Sequence, residues 1–403
     1  MIAILYPELQ PLINEYPIGL RILQIRDEDL PWLIIKAPKE FLLAARLNKG
    51  FKIYVVPLNI GGTDTIGLMS AFFDDSDEPL CISTLCFEDA ATESLECALV
   101  GGEVQVHLFD EHSRQLLGYP AKISIPPPSR NRLKNRKLLQ LSKPEAREMH
   151  NDMFKWCGLR DSADDADAIS VDFGDPLFPE DIAIINANAE MHSYNGGQGF
   201  GITMLERREP GSFQEQDIVQ VLQRIFLPEQ IFHGPLRVND KEEICDVLVI
   251  TNYRVLVIQA KDSPNTAVIM RKEMAKKRST IRRHLTKAIN QVHGAIGYIR
   301  SATPLRIFVS GEEVVIDLTG RELVSLIVVR ELFVDQYSDY SLPILDLAKR
   351  TNVACIPLEY TELHMYTMFL ADEEAFFAAI DQVFKTGIDL GEFPRLRFGM
   401  AGE

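Results

Sequence analysis

Two short apolar runs rich in β-branched residues, Val247 to Ile250 and Val255 to Ile258, are separated by only Thr251-Asn252-Tyr253-Arg254. So little polar sequence between two such runs predicts a tight antiparallel hairpin. Centring the turn between Asn252 and Tyr253 places Asp246 across from Gln259. The two-residue period of a strand then puts Lys261 on the same face. One carboxylate, one amide and one ammonium therefore converge at the open end of a buried ribbon.

That set suits phosphodiester cleavage. A carboxylate and a side-chain carbonyl can hold a hard divalent cation, magnesium or manganese, which polarises a phosphate and acidifies a bound water. A lysine can orient that water or neutralise charge growing on the phosphate. On Asp246, Gln259 and Lys261 the sequence resembles the PD-(D/E)XK nuclease superfamily, in the Asp…Gln-x-Lys variant of Mrr-like and nuclease-related domains. The resemblance covers roughly the C-terminal half of the chain, by the usual size of one domain. It implies a restriction-endonuclease-like αβββαβ core in an α/β fold, with Asp246, Gln259 and Glu215 as metal-site residues. Gln259 in place of an acid removes one negative charge from that site, which bears on metal affinity.

Glu215 has two readings. Many enzymes of the superfamily carry a glutamate in the first helix that reaches the metal, and Glu215 occupies that place, in a helix whose apolar stripe is Ile218, Val219, Leu222, Ile225 and Phe226. Ser212 and Glu215 also have capping-box spacing, which by itself stabilises a helix by about 1 kcal/mol. Glu243, three residues before Asp246, is the substitute acid if Glu215 only caps.

The 403 residues carry 42 Lys and Arg against 58 Asp and Glu, a formal charge of −16 that argues against a protein coating nucleic acid indiscriminately. The charge is uneven. Arg271, Lys272, Lys276, Lys277, Arg278, Arg282, Arg283 and Lys287 follow Lys261 with only Asp262 and Glu273 between them. The block falls in a long helix, about Lys272 to Arg300, with an apolar face of Ile281, Leu285, Ala288, Ile289, Val292, Ala295, Ile296 and Ile299. A charge run is ordinarily a solvated face; next to the hairpin it reads as a groove for backbone phosphates. His284, Lys287, Gln291 and Tyr298 lie on an adjoining face. Gln291 and Tyr298, seven apart, match a pair that similar nuclease families aim at the scissile phosphate. The expected nucleic-acid contacts are thus Lys277, Arg282, Arg283, Lys287, Gln291 and Tyr298.

The six cysteines are scattered, with no zinc-like spacing, and read as core thiols in a reducing compartment. No apolar run is long enough to cross a bilayer, and the start lacks the basic residues of a signal peptide, so a soluble cytoplasmic protein is expected.

Residues 1–128 read as a β-rich (α+β) accessory domain. Leu20 to Ile25, Trp32 to Lys36, Phe51 to Val56, Thr65 to Phe73, Glu103 to Phe109 and Leu116 to Ile125 are strands, with one helix from Pro38 through Leu47. His107 and His112 are a strand and a turn residue. Pro126-Pro127-Pro128 marks a boundary, 129–204 a linker and accessory segment with 161–167 as loop and Gly196 to Gly201 as a turn, and 205–395 the nuclease-like domain. Beyond Arg300, Leu305 to Asp317 reads as a hairpin, Leu323 to Val329 as a central strand, Pro343 to Arg350 as a helix, Val353 to Pro357 as a strand, and Thr361 to Phe384 as a helix anchored by Phe369, Phe376, Phe377 and Phe384.

The resemblance implies a magnesium-dependent endonuclease, with DNA favoured over RNA, serving repair or bacterial defence. The alternative is a catalytically inactive or partner-gated nuclease-fold subunit that binds nucleic acid or protein. A partner protein or a second copy would dock through the N-terminal domain.

Overall fold

The computed structural model describes residues 1–25, 28–75, 77–140, 142–301, 303–370 and 372–395. The chain is mixed α/β. Its first unit is an eight-stranded sheet: β1 (Gly19–Leu23), β2 (Trp32–Lys36), β3 (Gly50–Ile60), β4 (Thr63–Phe72), β5 (Leu80–Leu85), β6 (Glu103–Phe109), β7 (Gln115–Ser124) and β8 (Ile169–Phe173). They are ordered β1-β2-β6-β7-β8-β3-β4-β5, with only β2 and β6 parallel. Helices α1 (Ile2–Leu5), α2 (Gln10–Glu15), α3 (Lys39–Asn48), α4 (Ala90–Gly101), α5 (Pro127–Asn135), α6 (Lys143–Leu159) and α7 (Ser162–Asp167) complete the unit. Consecutive Leu42, Leu43, Ala44 and Ala45 are all fully buried, so α3 meets protein on every side. It ends at Lys49, with φ 51°, followed by Gly50, where a Cβ would stand 2.2 Å from the Val171 carbonyl oxygen.

The first unit does not end at Pro128. β8 lies between β7 and β3, so residues 129–173 belong to the sheet unit and are no linker. The proline run is a helix start: Pro127 takes the first position of α5, where its missing N–H would have had no partner. The 161–167 stretch, expected as loop, is α7, opened by a capping box from Asp161 to Asp164.

A ribbon of β9 (Ala183–Asn186) and β10 (Gly201–Met204) leads into the second unit. There α8 (Gly211–Leu222), β11 (Ile231–His233), β12 (Leu236–Arg237), β13 (Val247–Ile250), β14 (Arg254–Lys261), α9 (Ala267–Met270), α10 (Met274–Ser301), β15 (Leu305–Val309), β16 (Glu312–Ile316), β17 (Glu322–Val329), α11 (Tyr337–Thr351), β18 (Ala354–Glu359), α12 (Tyr360–Phe369) and α13 (Glu373–Leu390) follow in order. The main sheet runs β11-β13-β14-β17-β18; β11, β13 and β14 are antiparallel neighbours, and β14, β17 and β18 are parallel. Side chains alternate between two cores, as a strand covered on both faces requires. Val247, Val249, Leu256 and Ile258 face the helices, whereas Leu248, Ile250, Val255 and Val257 face the end of α10 and β15.

The expected hairpin over Leu305 to Asp317 is present as β15–β16, and it joins β12 in a separate small sheet. One expectation changes. The C-terminal helix is two helices, and Phe369 at the end of α12 is 39% exposed while Phe376 and Phe377 are buried. Among the described residues, no helix is long and apolar enough to cross a membrane.

The two units meet across buried charges. Asp217 of α8 accepts from Arg114 and Arg207, both at 2.9 Å, and Lys39 of α3 lies 3.2 Å from Asp262, the residue after β14. Burial opposes ionisation of Asp217, but the guanidiniums of Arg114 and Arg207 hold it well below the ordinary carboxylate range.

Candidate functional site

The ribbon pairs in the expected register. Val247 faces Ile258 and Ile250 faces Val255, and the Thr251 N–H donates to the Arg254 carbonyl at 2.9 Å to close the turn. One step beyond the ladder, the Gln259 amide nitrogen donates to Asp246 Oδ2. The same oxygen accepts the Ala260 N–H at 2.5 Å and lies 3.5 Å from Lys261 Nζ, which also donates to the Ala260 carbonyl at 2.6 Å. Asp246, Gln259 and Lys261 therefore meet on one face, at the carboxyl end of β14.

Burial grades outward. Gln259 is 1% and Asp246 4% exposed, Lys261 is half-buried, and Glu243 is exposed. Burial raises the Asp246 pKa above its ordinary value, with Lys261 and the Ala260 N–H opposing the rise. Although the residue as a whole is exposed, partial desolvation of its carboxyl, followed by the charges of Asp246 and Glu215, pushes Glu243 up to about 7. Three acids thus repel one another at the end of one ribbon.

Glu215 does not cap its helix. α8 starts at Gly211 with Pro210 as its N-cap, so Ser212 is already inside the helix and makes no cap hydrogen bond. The Glu215 carboxylate instead lies 2.9 Å from His233 Nε2 at the end of β11. His233 is a residue that sequence reasoning missed: it follows no spacing from Asp246, and only the pairing of β11 with β13 brings it here. Its strand edge is covered by the turn at Asn195, whose N–H bonds the Ile231 carbonyl while its own carbonyl receives the His233 N–H. A Cβ on the neighbouring Gly196 would stand 2.4 Å from the His233 carbonyl oxygen, so this glycine is needed for close approach.

The oxygen donors and the crowded negative charge are the chemistry a hard cation satisfies. As placed, however, no three His, Cys, Asp or Glu side chains among the described residues come together as a metal-holding group. Gln259 turns its amide nitrogen to Asp246, so it serves here as a donor to the carboxylate and not, in this orientation, as an oxygen ligand beside it.

The expected phosphate contacts are split. Arg283 and Lys287 are exposed on α10, near enough to His284 that, after burial, the Arg283 charge lowers its pKa. Lys277 instead binds Asp74 of the first unit at 2.6 Å, and Arg278 binds Glu78 at 2.9 Å. Arg282 binds Asp339 of α11 at 2.7 Å. Tyr298 is not aimed at the site: α10 runs back along β14, so Tyr298 is about 21 Å of helix beyond His284. Its hydroxyl donates to the Arg306 carbonyl of β15 at 2.8 Å. Gln291, halfway between, is half-buried with its carbonyl oxygen covered. No protein-family model matches this chain, and a search of curated proteins finds no match either.

Proposed function

We propose that this chain is a metal-dependent endonuclease acting on DNA, built on a PD-(D/E)XK-like core. The observation that carries the reading is the meeting of Asp246, Gln259 and Lys261 at one end of the β13–β14 ribbon. The order α8, then the meander β11-β13-β14, then α10 and the parallel β17 supports it independently of those three residues. It is the helix, three strands, helix, strand arrangement that such a core requires.

Asp246, with Glu243 and Glu215, would hold magnesium or manganese, which supplies a polarised phosphate and a water acidic enough to attack. The rest falls to the chain itself. Gln259 and the Ala260 N–H fix one Asp246 oxygen and leave the other free to accept. Lys261 places a positive charge beside Asp246, where it can offset charge on a phosphate oxygen. His233 holds Glu215 in place, and Arg283 and Lys287 offer the exposed cations that a phosphate backbone needs.

The test is incubation of the purified chain with plasmid, single-stranded DNA and RNA, with magnesium or manganese and then with chelator. The proposal expects metal-dependent cutting of DNA that Lys261→Ala removes. Full cutting by Lys261→Ala would reject the site.

A second reading, a partner-gated or inactive nuclease-fold subunit, is favoured by a specific observation. Asp74 and Glu78 of the first unit occupy Lys277 and Arg278, and Asp246 and Gln259 are nearly enclosed. Absence of cutting on every substrate, with DNA binding retained, would favour it.

A further inference from the structure

Away from the ribbon, two cysteines 76 residues apart in sequence stand side by side. Cys81 is on β5, the edge strand of the large sheet, and Cys157 is in the last turn of α6; their sulfurs are 3.2 Å apart and both residues are half-buried. The approach is imposed by packing. α6 sits on the sheet through the fully buried Met149 and Met153, and Met153 lies where a Cβ on Gly67 of β4 would be, 2.4 Å from its sulfur. Beside the pair stands Arg160, whose guanidinium is 2.8 Å from Asp165 and lies over the rings of Tyr54 and Phe73 at 5.6 and 5.7 Å. Asp165 is held in turn by the Tyr54 hydroxyl at 2.6 Å.

We propose that Cys81 and Cys157 form a peroxide-responsive dithiol site, with Cys157 as the attacking sulfur and Cys81 as the resolving one. The contact with Cys81 at 3.2 Å, helped by the Arg160 charge against the opposing effect of burial, brings the Cys157 thiol down to about 7, whereas the same contact and burial push Cys81 up. That is the division of labour the chemistry needs, because the thiolate is the nucleophile.

In the first step the Cys157 thiolate attacks a hydroperoxide oxygen. The S–O bond forms, the O–O bond breaks, and the departing hydroxide or alkoxide takes a proton to leave as water or an alcohol. In the second, the Cys81 sulfur attacks the sulfenic sulfur: the S–S bond forms, the S–O bond breaks, and water leaves with the Cys81 proton. The two thiols lose two electrons and the hydroperoxide gains them. From 3.2 Å the sulfurs must close by about 1.2 Å to reach bonding distance, which side-chain rotation supplies. The bridge would tie α6 to the sheet edge three residues after Glu78, whose carboxylate holds Arg278 on α10.

The experiment treats the reduced full-length chain with stoichiometric hydrogen peroxide, then counts free thiols and maps peptides by mass spectrometry. Expected are a fall from six thiols to four and a Cys81–Cys157 linked peptide reversed by dithiothreitol. Cys81→Ser should instead accumulate a sulfenic acid at Cys157, trapped by dimedone. Alkylation of wild-type Cys157 by iodoacetamide should titrate near pH 7, and Arg160→Gln should slow it several-fold at that pH. Oxidation that falls first on the exposed Cys97, or a Cys157 that alkylates no faster than Cys97 at pH 7, would overturn the proposal. The wild-type alkylation profile decides the matter even if a variant fails to fold.

Discussion

Asp246 is held by its neighbours in a way that bears on stability and, on the proposed function, on chemistry. It accepts from Gln259 and from the Ala260 N–H and lies 3.5 Å from the Lys261 ammonium, in a nearly closed setting. Replacing it with Ala strands those donors, which costs about 3–5 kcal/mol by analogy with other broken buried pairs; urea melts of Asp246→Ala and of the milder Asp246→Asn measure it. Lys261→Ala should lower metal-dependent cleavage by about 10²–10³, the scale set by loss of one transition-state charge partner, while circular dichroism shows the fold intact. Glu243 gives a pH signature. Its folded pKa of about 7 lies above the ordinary 4.5, so its contribution to stability is complete below about 4.5 and is lost as pH rises through 7. Glu243→Gln should therefore be more stable than the parent above pH 7, with the gap narrowing toward pH 4.5. Melting across that range, with and without magnesium, checks it; a bound cation should shrink the gap by stabilising the ionised form.

Among the elements, α8 carries two duties on opposite ends of one turn. Glu215 reaches His233 at the site, and Asp217 reaches Arg114 and Arg207 at the junction with the first unit. The sequence offered two readings of the first, a metal-reaching acid or a cap, and nothing for the second. Ser212 to Glu215 has the right spacing, but the helix begins one residue before Ser212, and a cap residue must stand outside the helix. Asp217→Ala should destabilise by about 3–5 kcal/mol, since two buried guanidiniums lose their shared carboxylate. Differential scanning calorimetry should show one transition for the parent and two for the variant, as the junction weakens. The same logic explains α10. Its apolar stripe was legible, with all eight of its expected residues buried, because a 3.6-residue repeat is local information. Which of its cations stay free of acids was not, because Asp74, Glu78 and Asp339 come from distant parts of the chain.

At the scale of the whole molecule, the first unit is bound to the second through the neighbours of its candidate site. Lys39 holds Asp262, next to Lys261, and Arg330 after β17 lies 3.1 Å from Glu40. On the proposed function, the Asp74 and Glu78 contacts would make the first unit a competitor for phosphates on α10. Asp74→Asn combined with Glu78→Gln should tighten DNA binding and steepen its salt dependence, because Lys277 loses its acid and Arg278, which also lies 3.3 Å from Asp335, keeps only one; fluorescence anisotropy against salt concentration reads both. A chain cut at Pro128 is a poor test of gating. It keeps β8 without β3 and β7 and strips Asp217 of Arg114, so it should be aggregated or unfolded by size-exclusion chromatography.

The β13–β14 register, the face shared by Asp246, Gln259 and Lys261, and the stripe of α10 were determined by sequence alone, since each follows from a period of two or 3.6 residues over a short stretch. The insertion of β8 into the large sheet, the pairing of Glu215 with His233, the loss of Lys277 and Arg278 to acids 200 residues away, and the meeting of Cys81 with Cys157 were decided by the tertiary structure. Contacts at such separations depend on how whole elements dock, and no local periodicity encodes them.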